Sequence, residues 1–317
     1  MDVAIKIEAL SKYYRTGFFT KKIKALEGLN LEVKTGEIFG FLGPNGSGKT
    51  TTIKILLGLT RPKHGMAWVL NRPPAHIETR ERIGYLPEVP YFYEYLTAEE
   101  FLNFCAQLHN LGNKTKDSIE KNLALVRLEK ARKVQLRHFS RGMLQRIGIA
   151  QALISDPEVV LLDEPVGGLD PIGRKEIREV IIGLKKQGKT IFFSSHILSD
   201  VEMLCDRVGI LIAGRLVTVG ALNEIISESI ESIEVTIKGL TPDAVSRLQR
   251  NSNKTFVAEN KVVFSVSNED EAGFLLEKAR ELGGTLVSLV PRRRTLEDHF
   301  IREVSKNMNH DEITGNH

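Results

Sequence analysis

The chain has 317 residues, 42% of them hydrophobic, enough for one large domain or a domain with an appendage around a substantial core. Lysine and arginine total 44 against 40 acidic residues, and a net charge of +4 at this length excludes the strong basic field of a nucleic-acid binder. Two distant cysteines, Cys105 and Cys205, exclude a disulfide framework and suit a reducing compartment, and no apolar stretch approaches the roughly 20 residues needed to span a bilayer.

In chain order, the opening "MDVAIKIEAL" alternates apolar and polar residues as a first strand. It has neither the basic start nor the apolar block of a signal peptide, so a cytosolic protein is expected unless a partner holds it at a membrane. From there to about residue 218 strand patterns alternate with helical ones, which predicts an α/β domain. "FGFLGPNGSGKTTTIKILLGL" joins an apolar strand to a helix with Ile53, Leu56 and Leu57 on one face. It holds the complete G-x-x-x-x-G-K-[ST] loop: Gly43, Pro44, Asn45, Gly46, Ser47, Gly48, Lys49 and Thr50. Such a loop wraps backbone N–H groups round a β-phosphate, sets the lysine charge on the β- and γ-oxygens and turns the Thr50 hydroxyl to Mg²⁺. Its strand-before, helix-after context separates it from a flexible glycine turn and predicts a nucleotide site.

Further on, "PYFYEY" carries four aromatics, and "TAEEFLNFCAQLHNL" is a helix opened by a capping box of Thr97 and Glu100. "FSRGMLQR", Phe139 to Arg146, begins another helix. Its free N–H groups and dipole make an anion site, and Ser140 simply capping its own helix is the plainer alternative. In "DPEVVLLDEPVGGLDP" the strand Val159 to Leu162 ends in Asp163 and Glu164. An acidic pair there is by itself more often a turn or cap. Beside a phosphate loop, Asp163 suits the Mg²⁺ shell and Glu164 suits a base that polarises water in line with the γ-phosphate. "FFSSHILSD" adds His196, which would ordinarily be a structural histidine after a strand.

The rest of the chain changes character. A strand (Ser232 to Lys238) precedes a helix capped by Thr241 with Pro242 at its first position. A hairpin, "TFVAENKVVFSV", turns at Glu259 and Asn260, and a helix from about Asn268 to Leu282, a Gly283-Gly284 stop and the strand "TLVSLV" follow. The order βαββαβ predicts a small α+β, ferredoxin-like unit, closed by the helix "TLEDHFIREV". Arg292 to Arg294 is a tight basic run whose default reading is a solvated face, and the polar tail from 306 to 317 is expected to be disordered.

Taken in order, the motifs of residues 1–218 resemble the ATP-binding subunit of ABC transporters. "GGLDP" is similar to the family's D-loop, "FFSSHILSD" to its switch-histidine segment, and "FSRGMLQR" stands at the place of its signature. The resemblance implies a P-loop NTPase ABC ATPase domain with a helical signature sub-domain at about 89–155, followed by the α+β accessory domain at 219–305. It implies a second copy of the chain packed head to tail on ATP, with Ser140 and the Gly142 backbone donating to the γ-phosphate held by the partner subunit's Lys49 and Thr50. It places His196 on the γ-phosphate beside Glu164, Thr51 and Asp170 in the nucleotide site, and Tyr14 on the adenine, with Tyr13 as rival and plain packing open for both. The cofactors implied are ATP and Mg²⁺. The partner implied is an integral membrane permease received around "PYFYEY" on the inner face of the membrane, although each aromatic there fits a sub-domain core equally well. No nucleic acid is expected.

Three positions depart from the pattern. Arg141 replaces the first signature glycine, Met143 the usual glutamine, and Glu88 in "IGYLPEVP" stands where a Q-loop offers glutamine. Glu88 can bind Mg²⁺ through water, with a charge an amide lacks. These departures, the added unit and "RRRTLEDHF" resemble the type-2 exporter branch. The expected function is hydrolysis of Mg-ATP to power a separately encoded permease, with export as the direction. The alternatives are a soluble ABC ATPase of DNA repair or translation, which the lack of tandem cassettes, heptads and cysteine clusters disfavours, and an ATP-gated regulatory module, which intact Lys49, Asp163, Glu164 and His196 disfavour.

Overall fold

Short apolar runs such as "IFGFL" and the "VVLL" that leads to Asp163 are the pattern of strands buried on both faces, and both strands are fully buried in the computed structural model. The structure describes residues 2–16, 21–226, 230–250, 252–258, 261–293 and 295–313. The chain divides into a larger unit that runs to Leu222 and takes in the residues from Asn307, and a smaller unit, Asn223–Lys306.

The larger unit begins with β1 (Val3–Thr16), β2 (Lys21–Lys34), β3 (Ile38–Leu42), α1 (Lys49–Leu56), β4 (His64–Val69), α2 (Ile77–Glu81) and β5 (Ile83–Leu86). Helices α3 (Ala98–Leu108), α4 (Thr115–Leu125) and α5 (Arg141–Ala152) come next. They lead to β6 (Val159–Asp163), α6 (Pro171–Lys186), β7 (Thr190–Ser195), α7 (Leu198–Leu204), β8 (Arg207–Ile212) and β9 (Arg215–Ala221). The main sheet has the order β5-β6-β7-β3-β8-β9, parallel through β8 with β9 added antiparallel. A second, antiparallel sheet has the order β2-β1-β4. The two share one apolar core, in which Ile5, Leu10 and Leu29 meet Ile53 and Leu56 of α1 and Phe39, Phe41 and Phe192 of the main sheet. Phe192 stacks on Phe39 with ring centroids 5.9 Å apart. Helices α3, α4 and α5, which lie between β5 and β6 in the sequence, pack on one another, and Thr97 opens α3 with the reciprocal capping box its sequence predicts.

The change of unit after Leu222 corrects the boundary expected at 218. Strand β9 stays paired to β8 as far as Ala221, which lies opposite Arg207, so residues 219–221 belong to the main sheet.

From α8 (Leu222–Ile225) the chain passes to β10 (Ile230–Lys238), α9 (Pro242–Gln249), β11 (Lys254–Ala258), β12 (Lys261–Val266), α10 (Glu269–Glu281), β13 (Thr285–Arg293) and α11 (Leu296–Ile313). Thr241 and Asn268 cap α9 and α10 by accepting the N–H groups of Ala244 and Glu271. The antiparallel order β11-β12-β10-β13 is that of a ferredoxin-like unit, with Val235, Phe264 and Val266 packed under Leu248 and Leu275 of the helices. The hairpin turn predicted at Glu259 and Asn260, and Arg294 of the basic run, lie outside the described residues. Helix α11 continues past Lys306 to Ile313, where composition predicts an irregular tail; Lys306 pairs with Glu303 a turn earlier at 2.7 Å, and a polar composition does not by itself bar a helix. Among the described residues no helix is long and apolar enough to cross a membrane.

Candidate active site

Strands β3, β7 and β6 lie side by side and parallel, so the segments that follow them emerge at one edge of the sheet. That is where open α/β sheets hold ligands. After β3 the loop Gly43–Thr50 turns into α1 at Gly48, whose φ is 112° and where an added Cβ would stand 2.4 Å from the Ala25 carbonyl oxygen, so only glycine fits. The buried Lys49 ammonium donates to the carbonyl oxygens of Gly43 (2.8 Å) and Pro44 (3.3 Å), and lies 3.2 Å from Glu164 Oε1.

Glu164 is the centre of the arrangement. Its Oε2 is 2.8 Å from His196 Nδ1 and accepts the His196 backbone N–H at 3.3 Å. Its backbone has φ 50°, a left-handed conformation rarely taken by a side-chain-bearing residue and concentrated at functional positions. Its N–H is shared between the Ser194 carbonyl (3.2 Å) and the Ser194 hydroxyl (3.1 Å), and that hydroxyl donates to Asp163 Oδ1 at 2.6 Å. Asp163 is buried, and its Oδ2 has no hydrogen-bond partner among the described residues. Burial first, then the carboxylates of Asp163 and Glu88, push the Tyr85 hydroxyl up to about 12, so it stays neutral.

A cleft of about 280 Å³ opens over these groups. Asn45, Gly46, Gly48, Lys49, Thr50 and Thr51 form its floor, with Glu88 and Glu164, and Tyr14 and Ile23 to Ala25 complete the lining. Tyr14 lines the cleft and Tyr13 does not; the Tyr14 ring is partly exposed, with Lys12 Nζ 5.3 Å from its centroid. Gly43, Pro44 and Ser47 belong to the same loop without lining the cleft, and Asp163 and His196 are linked to it through Ser194 and Glu164. Ser140, Gly142 and Asp170 are not part of this cleft. The Ser140 hydroxyl accepts the Met143 N–H at 3.2 Å as the cap of α5, Asp170 caps α6 through Gly173 at 2.7 Å, and nothing stands within 4 Å of the Cβ position at Gly142. The Arg141 guanidinium lies against Gly168.

The sequence profile of the ABC transporter family matches residues 26–167. An uncharacterized ABC transporter ATP-binding protein of Synechocystis is 44% identical over 301 residues, 93% of this chain and 83% of the relative. The chain belongs to this family. The bacitracin transport ATP-binding protein BcrA of Bacillus licheniformis is 37% identical over 95% of this chain and 97% of its own length. Among solved structures, the dimeric ATP-binding cassette MJ0796, in a post-hydrolysis state with ADP and Pi, is 26% identical with a TM-score of 0.63 over 69% of this chain and 98% of that one. This ABC subunit is an ATPase.

Two serines that touch the site loops escape a sequence reading. Ser194 and Ser195 are fully buried at the end of an apolar strand, and that pair of hydroxyls in "TIFFSS" is the only signal for them in the sequence. The four aromatics of "PYFYEY" do not share one environment. Phe92 is buried against Phe101 at 5.3 Å, whereas Tyr91, Tyr93 and Tyr95 are exposed.

Proposed function

We propose that the chain is the ATP-hydrolysing half of an exporter whose membrane-spanning permease is a separate chain, and that two copies close head to tail around Mg-ATP. The observation that carries this reading is Glu164 held between Lys49 and His196 in the phosphate-loop cleft. Export is supported by the branch resemblance, and transport by a relative named for bacitracin transport that aligns over nearly its whole length. The exposed Tyr91, Tyr93 and Tyr95 support the permease contact in this region.

In this mechanism Lys49 leaves the Gly43 and Pro44 carbonyls for the β- and γ-phosphate oxygens while the loop N–H groups and the α1 N-terminus receive the rest of the charge. Its departure frees Glu164 Oε1 to take a proton from water, and His196, on Oε2, keeps the carboxylate in line. The residues fit Mg²⁺: Asp163, next to Glu164 in the chain, keeps a buried Oδ2 with no hydrogen-bond partner among the described residues, an acceptor a cation could use, and the Thr50 hydroxyl belongs to the cleft that Glu164 lines. Bound there, the ion would neutralise charge on the β- and γ-oxygens. Ser140 and Gly142, outside their own chain's cleft, would complete the partner subunit's site, while Tyr14 would stack on adenine and Glu88 would help hold the ion through water.

Glu164→Gln tests the reading. The variant is expected to elute as a dimer with Mg-ATP in size exclusion and to lose about 10²–10⁴-fold in phosphate release. Ordinary turnover, or a monomer at saturating ATP, would sink it.

A further inference from the structure

The geometry points to Ser194 as a positioning residue that sets which oxygen of Asp163 is offered to a divalent cation and fixes the turn at Glu164. The inference rests on the reading of Asp163 and Glu164 given above and deepens it.

A serine hydroxyl has one proton. At Ser194 that proton goes to Asp163 Oδ1 at 2.6 Å, and a lone pair of the same oxygen accepts the Glu164 N–H at 3.1 Å. The two carboxylate residues are thus joined through one atom that is wholly buried on β7, directly across the ladder from Asp163. No other donor to Asp163 Oδ1 is present among the described residues, and Oδ2 has none. Rotation of the Asp163 carboxylate would break the only hydrogen bond it makes, so Ser194 leaves Oδ2 as the free face. The same hydroxyl supports the left-handed Glu164 backbone, which swings that side chain to Lys49 and His196. Valine in place of Ser194 would serve the apolar strand equally well, and burial therefore does not explain the hydroxyl.

The test is a Mg²⁺ titration of mant-ATP binding to the full-length protein, read by fluorescence, for wild type, Ser194→Ala, Ser194→Cys and Asp163→Asn. Outer groups that orient a metal ligand are worth about 10–100-fold in metal affinity. Ser194→Ala is expected to raise half-saturating Mg²⁺ by at least about tenfold, with Ser194→Cys in between because a thiol is a weaker donor, while mant-ATP affinity in EDTA is unchanged. A wild-type Mg²⁺ requirement in Ser194→Ala beside a displaced one in Asp163→Asn overturns the role of Ser194 and leaves the site reading standing. A wild-type requirement in all variants overturns both. Should Ser194→Ala not fold, Ser194→Cys decides, and a wild-type Mg²⁺ requirement there overturns the proposal.

Discussion

Lys49 Nζ and Glu164 Oε1 face each other at 3.2 Å, with both side chains only 6% exposed. Charges so buried are tolerated when paired, and removing one partner of such a pair costs on the order of 3 kcal/mol because the other is left uncompensated. Lys49→Ala is therefore expected to lower the unfolding midpoint of the nucleotide-free protein as well as to abolish ATP binding. In a Glu164→Gln background the same substitution should cost well under half as much, since no carboxylate remains to be stranded. Urea unfolding of the four proteins measures the coupling, and additive costs would show that the contact is incidental.

The Ser140 hydroxyl caps α5 in its own chain, and the proposed mechanism gives it a phosphate in the partner subunit's site. The two roles separate in Ser140→Asp. Aspartate is as good an N-cap as serine, so the melting temperature should stay within about 1 °C of wild type, whereas Ser140→Ala loses about 1 kcal/mol of helix start. A carboxylate aimed at a γ-phosphate repels it, so phosphate release in Ser140→Asp should fall at least about 100-fold while ATP binding to the monomer is kept. Retained turnover in Ser140→Asp would reduce Ser140 to a cap.

What the sequence disclosed and what it withheld follow from the range of the forces involved. Gly48 is legible because a left-handed turn beside the Ala25 carbonyl admits one residue type, and Thr97 and Thr241 because a cap acts within three residues. The βαββαβ order likewise predicts the smaller sheet, since each change of period is local. The Ser194 hydroxyl reaches Asp163 only because β6 and β7 are neighbours, and the meeting of Lys49, Glu164 and His196 depends on β7 lying between β3 and β6. Composition misplaces the unit boundary and the end of α11 for the opposite reason: β9 is held by pairing to β8, and α11 continues through a stretch whose polarity does not by itself bar a helix.

Glu27 supplies a pH dependence of known sign. Hydrogen bonds from Arg215 first, then Lys24, lower its carboxyl from an ordinary 4.5 to about 2, and Arg215 opens β9 while Glu27 belongs to β2. A depressed carboxyl favours the folded state above its unfolded pKa, and that contribution disappears as pH falls through the folded value. Glu27→Gln should accordingly be less stable than wild type at pH 7, with the gap closing between about pH 5 and pH 2. Because the pair is solvent-exposed, the gap should also shrink at 1 M salt. Melting temperatures across that range decide the matter; a gap that widens in acid would contradict the assignment.

Arg141 stands where the family resemblance places a signature glycine, and its guanidinium rests on Gly168, in the loop that joins Glu164 to Asp170. A Cβ at Gly168 would stand 2.4 Å from that guanidinium, and the φ of 66° there already disfavours any side chain by about 1–2 kcal/mol. Gly168→Ala should therefore destabilise the protein through both backbone strain and displacement of Arg141. In an Arg141→Ala background only the strain remains, so the cost should fall by about 0.5–1 kcal/mol, within the range of couplings between touching residues. If the contact also holds the start of α5 against the segment after Glu164, each single variant should lower kcat with little change in KM for ATP. Equal costs of Gly168→Ala in both backgrounds, with kcat untouched, would mean that Arg141 is only tolerated at the signature.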